Sequence, residues 1–469
     1  MEHKRIVIIG AGPSGLGCAY ELARNGRASL VIDKNKDVGG LCSTINFHGY
    51  LFDVGGHRFL SKSEEINQLW RGILGDDMLR VRRLSRIYYR RKYFNYPISL
   101  FNALSNLGPF ESFLCVASYL SARLFKRSAD DTFDGWIKNR FGERLYRIFF
   151  KSYTEKVWGT SCEKISSDWA AQRIRGLSLK TALKKAFLGP GKAAPKTLSD
   201  EFFYPRTGPG EFYGRLKERS AYLGTEFLLE REAVSIRHDG KRVVSVRLAR
   251  PDARPGEEIS ADYIFSSMPL PVLVESLDPL PPGEILAAAR RLHFRSFLVV
   301  NIILDKRTVF PDQWIYVHSP DVRLGRIQNY KNWSPAMTAD PAKTSLGLEY
   351  FCGEGDALWS MNDIDLINYA VGELERIGIA SRRYLIDGFV IRQKSAYPVY
   401  DVGYKAHVDI IRGYLGRFSN LQTMGRQGLF RYDNSDHALL TGIYAARNFL
   451  KEASSDLWAV EIDKGSLDL

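Results

Sequence analysis

The chain has 469 residues, of which 66 are Lys or Arg and 53 are Asp or Glu, giving a net charge of +13 with histidine neutral. Hydrophobic residues make up 45% and charged residues 25%, which excludes a disordered, collagen-like or low-complexity protein. The positive surplus suits an anionic ligand, nucleic acid or an anionic membrane surface, and composition alone does not choose among them.

Ile6 to Gly10 is a continuous, mostly β-branched run, as expected of a strand buried on both faces of a parallel sheet. Its apolar core is too short for a signal peptide, so a reducing, cytoplasmic compartment is expected. The strand enters Gly10-Ala11-Gly12-Pro13-Ser14-Gly15, then a helical pattern from Leu16 to Ala23 that ends near Asn25-Gly26. A second strand, Ser29 to Ile32, stops at Asp33. Gly10 permits the tight turn, Gly12 lets the backbone approach a pyrophosphate, and Gly15 lets the helix pack on the strand. The helix N-terminus, where Ser14 sits, offers free N–H groups to phosphate, and Asp33 stands where an acid takes a ribose hydroxyl. Strand, loop, helix, strand and acid in that order identify a dinucleotide site. A second glycine pair, Gly39-Gly40, follows with Leu41 and brings backbone close to the cofactor again.

Further along, seven Arg and Lys residues between Arg80 and Lys92 interleave with Tyr88, Tyr89, Tyr93, Phe94 and Tyr96. Strand-like alternation makes this a basic strand and turn at a cleft mouth, and no nucleic-acid module accompanies it. The apolar stretch Phe110 to Phe125, followed by Lys126 and Arg127, is too short and too polar to span a bilayer. It is compatible with peripheral membrane contact, although a core helix is the preferred reading. Asp134 to Phe150 and Ser167 to Phe187 carry helical spacing, and Leu188 to Lys192 forms a linker. Phe297 to Leu304, Thr344 to Phe351 and Tyr384 to Ile391 read as strands. Five scattered cysteines support neither a disulfide framework nor a metal site.

The glycine pair after Asp33 resembles the extended fingerprint of the amine oxidase and protoporphyrinogen oxidase-like flavoproteins. Ala261 to Pro269 is similar to that superfamily's returning strand, and Leu421 to Arg426 to its closing strand and turn. The resemblance implies FAD. It also implies an α/β fold in which a Rossmann-like FAD-binding domain is assembled from residues 1–80, 201–275 and 403–469. A helical insertion would occupy 81–200 and an antiparallel-sheet substrate region 290–400. Gly208-Pro209-Gly210 follows Tyr204-Pro205-Arg206 rather than a buried strand, so it reads as a turn near flavin or substrate and not as a nicotinamide site.

Gly55-Gly56-His57-Arg58-Phe59, Tyr96-Pro97, Tyr153 to Gly159, Gly325 to Pro335, Ala396 to Tyr400, Gly425 to Gly428 and Tyr432 to His437 together resemble the UDP-galactopyranose mutases. That resemblance implies isomerisation of a nucleotide-diphosphate sugar through a covalent adduct with N5 of reduced FAD. NAD(P)H would enter only as an external reductant. It places Arg173 and Arg326 on the diphosphate, His57 with Gly56 against the flavin, and Gly425, Arg426, Asn434 and Asp436 around the cofactor. Tyr316, Tyr397 and Tyr432 would shape the sugar pocket, with Trp158 and Asn329 as neighbours. Of these, His57, Arg173, Arg326 and Tyr397 are the catalytic candidates. Ser435 and Ala438 depart from the family's usual run. The rival expectation is a FAD-dependent oxidase or desaturase of an amine, lipid or sugar-linked substrate.

Overall fold

The computed structural model describes residues 5–96, 100–125, 129–173, 201–249 and 256–460. Five parallel strands form the central sheet in the order Leu421–Thr423, Tyr263–Ser266, Ile6–Ile9, Leu30–Ile32 and Glu226–Leu228. Ile6–Ile9 is the middle strand and all four side chains are buried, which accounts for its unbroken β-branched run. Strands from distant parts of the chain thus meet in one α/β unit. The helices Pro13–Arg24 and Ser435–Leu450 cross at backbone contact, for a Cβ on Gly442 would lie 1.9 Å from the Ser14 carbonyl oxygen. That crossing ties the two ends of the chain together.

A second sheet runs in the order Leu385–Pro398, Phe294–Leu304, Thr344–Cys352, Arg326–Asn329, Trp314–Val317, Ser85–Tyr89 and Lys92–Asn95. Every pairing is antiparallel except that between Trp314–Val317 and Ser85–Tyr89. The basic, aromatic stretch is therefore part of the sheet, although the sequence groups it with the helical insertion. Its alternation has the strand period: Ile87 and Phe94 are buried, and Arg90-Arg91 forms the exposed two-residue turn.

The insertion is helical: Leu100–Leu107, Pro109–Leu124, Phe133–Phe141, Ser152–Trp158 and Ser167–Arg173. The continuous helix expected from Asp134 to Phe150 is broken at Gly142, which has φ +83° and whose N–H donates to the Lys138 carbonyl. The chain restarts at Glu143 and passes through a π-helical segment, Tyr146–Lys151. The apolar helix Pro109–Leu124 is core on one face only. It buries Cys115 and Tyr119, while Phe110, Phe113, Leu120 and Leu124 point outward. The helix expected to reach Phe187 is seen as Ser167–Arg173. Its continuation, the linker Leu188 to Lys192, Pro97, Lys126, Arg127 and the Arg173 side chain lie outside the described residues.

All five cysteines are buried and free. Among the described residues no group of His, Cys, Asp and Glu has the arrangement of a metal site, and no helix is long and apolar enough to cross a membrane.

Candidate active site

Both sheets and the helical insertion contribute walls to a cavity of about 600 Å³. The glycine loop forms one wall. Gly10 has φ +99°, its N–H donates to the Ile32 carbonyl at 2.8 Å, and a Cβ there would lie 2.1 Å from Ser267 Oγ. Helix Pro13–Arg24 starts with no capping side chain and no acidic residue in its first turn, so its N-terminal amides remain available to an anion. Asp33 accepts from the Ala11 amide at 2.6 Å and from Asn35, fixing the loop while still lining the cavity. The Gly39 amide donates to the Ala11 carbonyl, and a Cβ on Gly40 would sit 3.3 Å from the Gly12 Cα, so the two glycine segments touch.

A second helix N-terminus faces the same space. Asn434 begins Ser435–Leu450 but its side chain makes no cap, and Asn434 and Asp436 line the cavity. Arg426 lies over the Tyr397 and Tyr432 rings at 4.7 and 4.2 Å, and its buried Nε and Nη2 make no hydrogen bond. An orphaned guanidinium in a closed pocket calls for an acceptor from a ligand.

Opposite stands the loop carrying His57. Nδ1 is 3.2 Å from the Gly55 carbonyl, which can only accept, so Nδ1 carries the proton and Nε2 remains an acceptor. Burial, reinforced by Arg426 and Arg326, lowers the imidazole to about 3 and keeps it neutral at physiological pH. Beneath the loop, Asp53 accepts from Tyr204 at 2.5 Å and Thr44 at 2.8 Å, and burial raises its carboxyl to about 7. Gly56 packs on Gln328, with a Cβ clashing at 2.4 Å from Nε2.

Arg326 supplies the cationic wall. Its Nε and Nη2 donate to Glu349 Oε2 at 2.8 and 2.5 Å, while Gln328 Nε2 donates to Oε1 at 2.9 Å. The Arg326 side chain is 17% exposed and Glu349 0%. Burial opposes the guanidinium charge most strongly of any single influence, but Glu349 together with Tyr397, Tyr153 and Tyr316 outweighs it and Arg326 is held firmly protonated. Tyr397 stacks on Tyr432, with centroids 5.6 Å apart, and Trp158 meets Tyr432 edge-on. Tyr153 stacks on His318 at 4.4 Å and meets Tyr316 edge-on. Arg58 and Arg83 lie over Trp314 at 5.9 and 5.4 Å.

The cavity brings together Gly10, Gly12, Ser14, Asp33, Gly40, Leu41, Gly56, His57, Arg426, Asn434 and Asp436 with Trp158, Tyr316, Arg326, Tyr397 and Tyr432. Gly15, Gly39 and Gly425 shape the backbone just behind it. Asn329 is not brought there: strand alternation sends Arg326 and Gln328 inward, and Asn329 turns away to donate to the Phe310 carbonyl at 3.2 Å. For Arg173 the structure gives only the helix end. Glu349, Gln328, Tyr153 and His318 were not singled out from sequence. Glu349 had a signal, as the lone charge in an apolar strand whose nine residues are all buried. His318 had none.

The profile of the flavin-containing amine oxidoreductases matches residues 13–447. The chain belongs to that family. Its fold is similar to that of a crystal structure of reduced UDP-galactopyranose mutase, with TM-score 0.83, 23% identity and 96% of each chain covered. Among curated relatives, it is 24% identical over 302 residues to the phytoene desaturase of Phycomyces blakesleeanus, covering 60% of this chain and 50% of the desaturase. A Klebsiella pneumoniae protein named "Probable UDP-galactopyranose mutase" is 27% identical over 173 residues, 34% of this chain and 42% of that protein. The chain thus spans about half the length of the curated relatives it matches. Membership of this flavin family implies FAD, and the residues fit that cofactor: two uncapped helix N-termini, a glycine cradle that side chains would fill, and the orphaned Arg426 all face one cavity.

Proposed function

We propose that the protein isomerises a nucleotide-diphosphate sugar between pyranose and furanose forms. The observation that carries this reading is that Arg326 and Arg58 line a cavity walled by Tyr153, Tyr316, Tyr397 and Tyr432. Arginines would repel an amine and gain nothing from a hydrocarbon, whereas they suit a diphosphate, which their planar forks bind bidentately.

In this reading Gly10 to Gly15 and the helix behind them hold the FAD diphosphate and Asp33 its ribose. Gly56, Arg426, Asn434 and Asp436 surround the rest of the cofactor. Bound FAD, in reduced form, supplies an electron-rich centre at the anomeric carbon, and a reductant such as NAD(P)H is needed to prepare it. Arg326, together with Arg173 assigned on sequence alone, holds the diphosphate as it leaves and returns it, so stabilisation is electrostatic. Glu349 and Gln328 orient Arg326, which lets a long side chain meet the anion without reorganising. Neutral His57 offers Nε2 as a hydrogen-bond acceptor, and the tyrosines set the sugar's position.

A second reading, two-electron oxidation of an apolar or sugar-linked substrate, is favoured by the apolar wall of Phe133, Phe149, Phe150 and Val157. One experiment separates them. Protein with reduced flavin is incubated with a panel of nucleotide-hexopyranoses, and products and reductant are counted. The mutase reading expects the furanose isomer with many turnovers per reductant consumed. Product two electrons poorer, formed in a parallel incubation with oxidised flavin and bleaching it, would replace it by the oxidase.

A further inference from the structure

The helix Pro109–Leu124 carries an apolar stripe that the fold leaves uncovered. Phe110, Phe113, Leu120 and Leu124 are 75%, 69%, 53% and 75% exposed. With exposed Ala117 between them they recur at spacings of three and four, so they form one line along the helix. Cys115 and Tyr119, on the opposite side, are the buried residues that fasten the helix to the lobe. Gly142 brings the next helix so close to Ser118 that a Cβ would lie 2.8 Å from its backbone. The stripe is thus held rigidly outward.

Basic residues flank the helix. Arg123 is on the helix, its Nε donating to Tyr119. Arg144 pairs with Glu111 in the first turn, and Arg90 also acts on that carboxylate. Lys92 donates to the Asn106 carbonyl at the end of the preceding helix. Arg90 and Arg91, with φ of 48° and 61°, form the hairpin tip where Asn-Gly would be the relaxed choice. Along these flanks Arg90, Arg91, Lys92, Arg123, Arg144 and Arg147 outnumber Glu111 and Glu143.

We propose that this face docks the helical lobe on an anionic lipid surface, the apolar stripe entering the interface and the flanking arginines meeting the headgroups. An apolar helix face flanked by cations is the arrangement that binds such an interface. A second copy of the chain fits less well. It would set two basic flanks against each other, and the four side chains offer on the order of 500 Å² per partner, against roughly 800 Å² in a standard interface. The inference is independent of which reaction the cavity performs.

Co-sedimentation of the full-length protein with phosphatidylcholine vesicles, with and without phosphatidylglycerol, tests this. Binding is expected only with the anionic lipid and should weaken with added salt. Phe110→Ser/Phe113→Ser/Leu120→Ser, all at exposed positions, should bind about a hundredfold more weakly at an unchanged melting temperature. Arg90→Asn/Arg91→Gly, which suits the turn, should lower binding to anionic vesicles by about tenfold or more. Absence of binding at low salt, or equal binding by the apolar triple variant, would overturn the proposal. So would a dimer in light scattering that the triple variant abolishes, which would assign the face to a second copy.

Discussion

Replacing Arg326 by methionine would leave Glu349 fully buried, with Gln328 Nε2 its remaining hydrogen-bond donor. Breaking a buried pair in this way costs about 3–5 kcal/mol, because the surviving carboxylate keeps its desolvation penalty and loses its counter-charge. Urea titration followed by tryptophan fluorescence should show a loss of that order. Arg326→Met/Glu349→Gln removes the stranded charge and preserves an acceptor for Gln328, so stability should return to within about 1 kcal/mol of the parent. Affinity for a nucleotide-diphosphate sugar should not return. Losing charge-assisted hydrogen bonds to a phosphate is worth about 1.5–3 kcal/mol, roughly a 10- to 150-fold rise in Kd. Calorimetric titration of both variants against the parent reads this directly, with FAD retention as the control. If the double variant regains affinity along with stability, Arg326 is structural and the diphosphate assignment fails.

Three further outcomes follow from the geometry. His57 and His318 are each lowered from 6.5 to about 3, chiefly by burial, so the unfolded chain binds more protons between those values. Stability should be complete above pH 6.5 and fall by a few kcal/mol per histidine, at about 1.4 kcal/mol per unit of pKa shift, as the pH drops towards 3. Urea midpoints that stay flat across that window would contradict the lowered protonation of both rings. Asp53 works in the opposite sense: raised from 3.8 to about 7, it favours the fold below 3.8 and loses that contribution as the pH climbs to 7. Asp53→Asn should therefore steepen the rise of stability with pH between 3.8 and 7, and parallel parent and variant curves would refute the assignment. Finally, Gly442→Ala places a methyl 1.9 Å from the Ser14 carbonyl oxygen, which must push the two helices apart. A loss of about 1–3 kcal/mol and weaker FAD retention are expected, measured by melting and by flavin released on dialysis; unaltered flavin content would show that the crossing does not shape the cofactor cleft.

The parts of the molecule that could be read from sequence are those governed by local backbone chemistry. Gly10, Gly12, Gly15 and Asp33 occupy fixed offsets in a strand–turn–helix unit, so the dinucleotide loop was legible before any fold was known. The strands read from Phe297, Thr344 and Tyr384 were also visible as apolar runs, the first two buried throughout and the third at the sheet edge. Tertiary pairing was not legible. Nothing local says that Ser85–Tyr89 runs parallel to Trp314–Val317, so sequence alone groups the basic hairpin with the helices that follow it. Alternation within Arg326–Asn329 decided which residues face the cavity, and it turned Asn329 away while bringing in Gln328. Glu349 matters through a partner 23 residues distant, a contact that exists only once the strands are in register. The outward stripe on Pro109–Leu124 likewise could not be told from a core face until its neighbours were placed.

Positional isotope exchange tests the central claim most directly. A nucleotide-hexopyranose carrying ¹⁸O in the bridge between the anomeric carbon and the diphosphate is incubated with the protein, and the label is located by phosphorus NMR. If the anomeric bond breaks and reforms while Arg326 holds the diphosphate, the label should scramble into the non-bridging oxygens when the flavin is reduced and stay fixed when it is oxidised. A label that remains in the bridge under reducing conditions, with the sugar bound, would contradict the account.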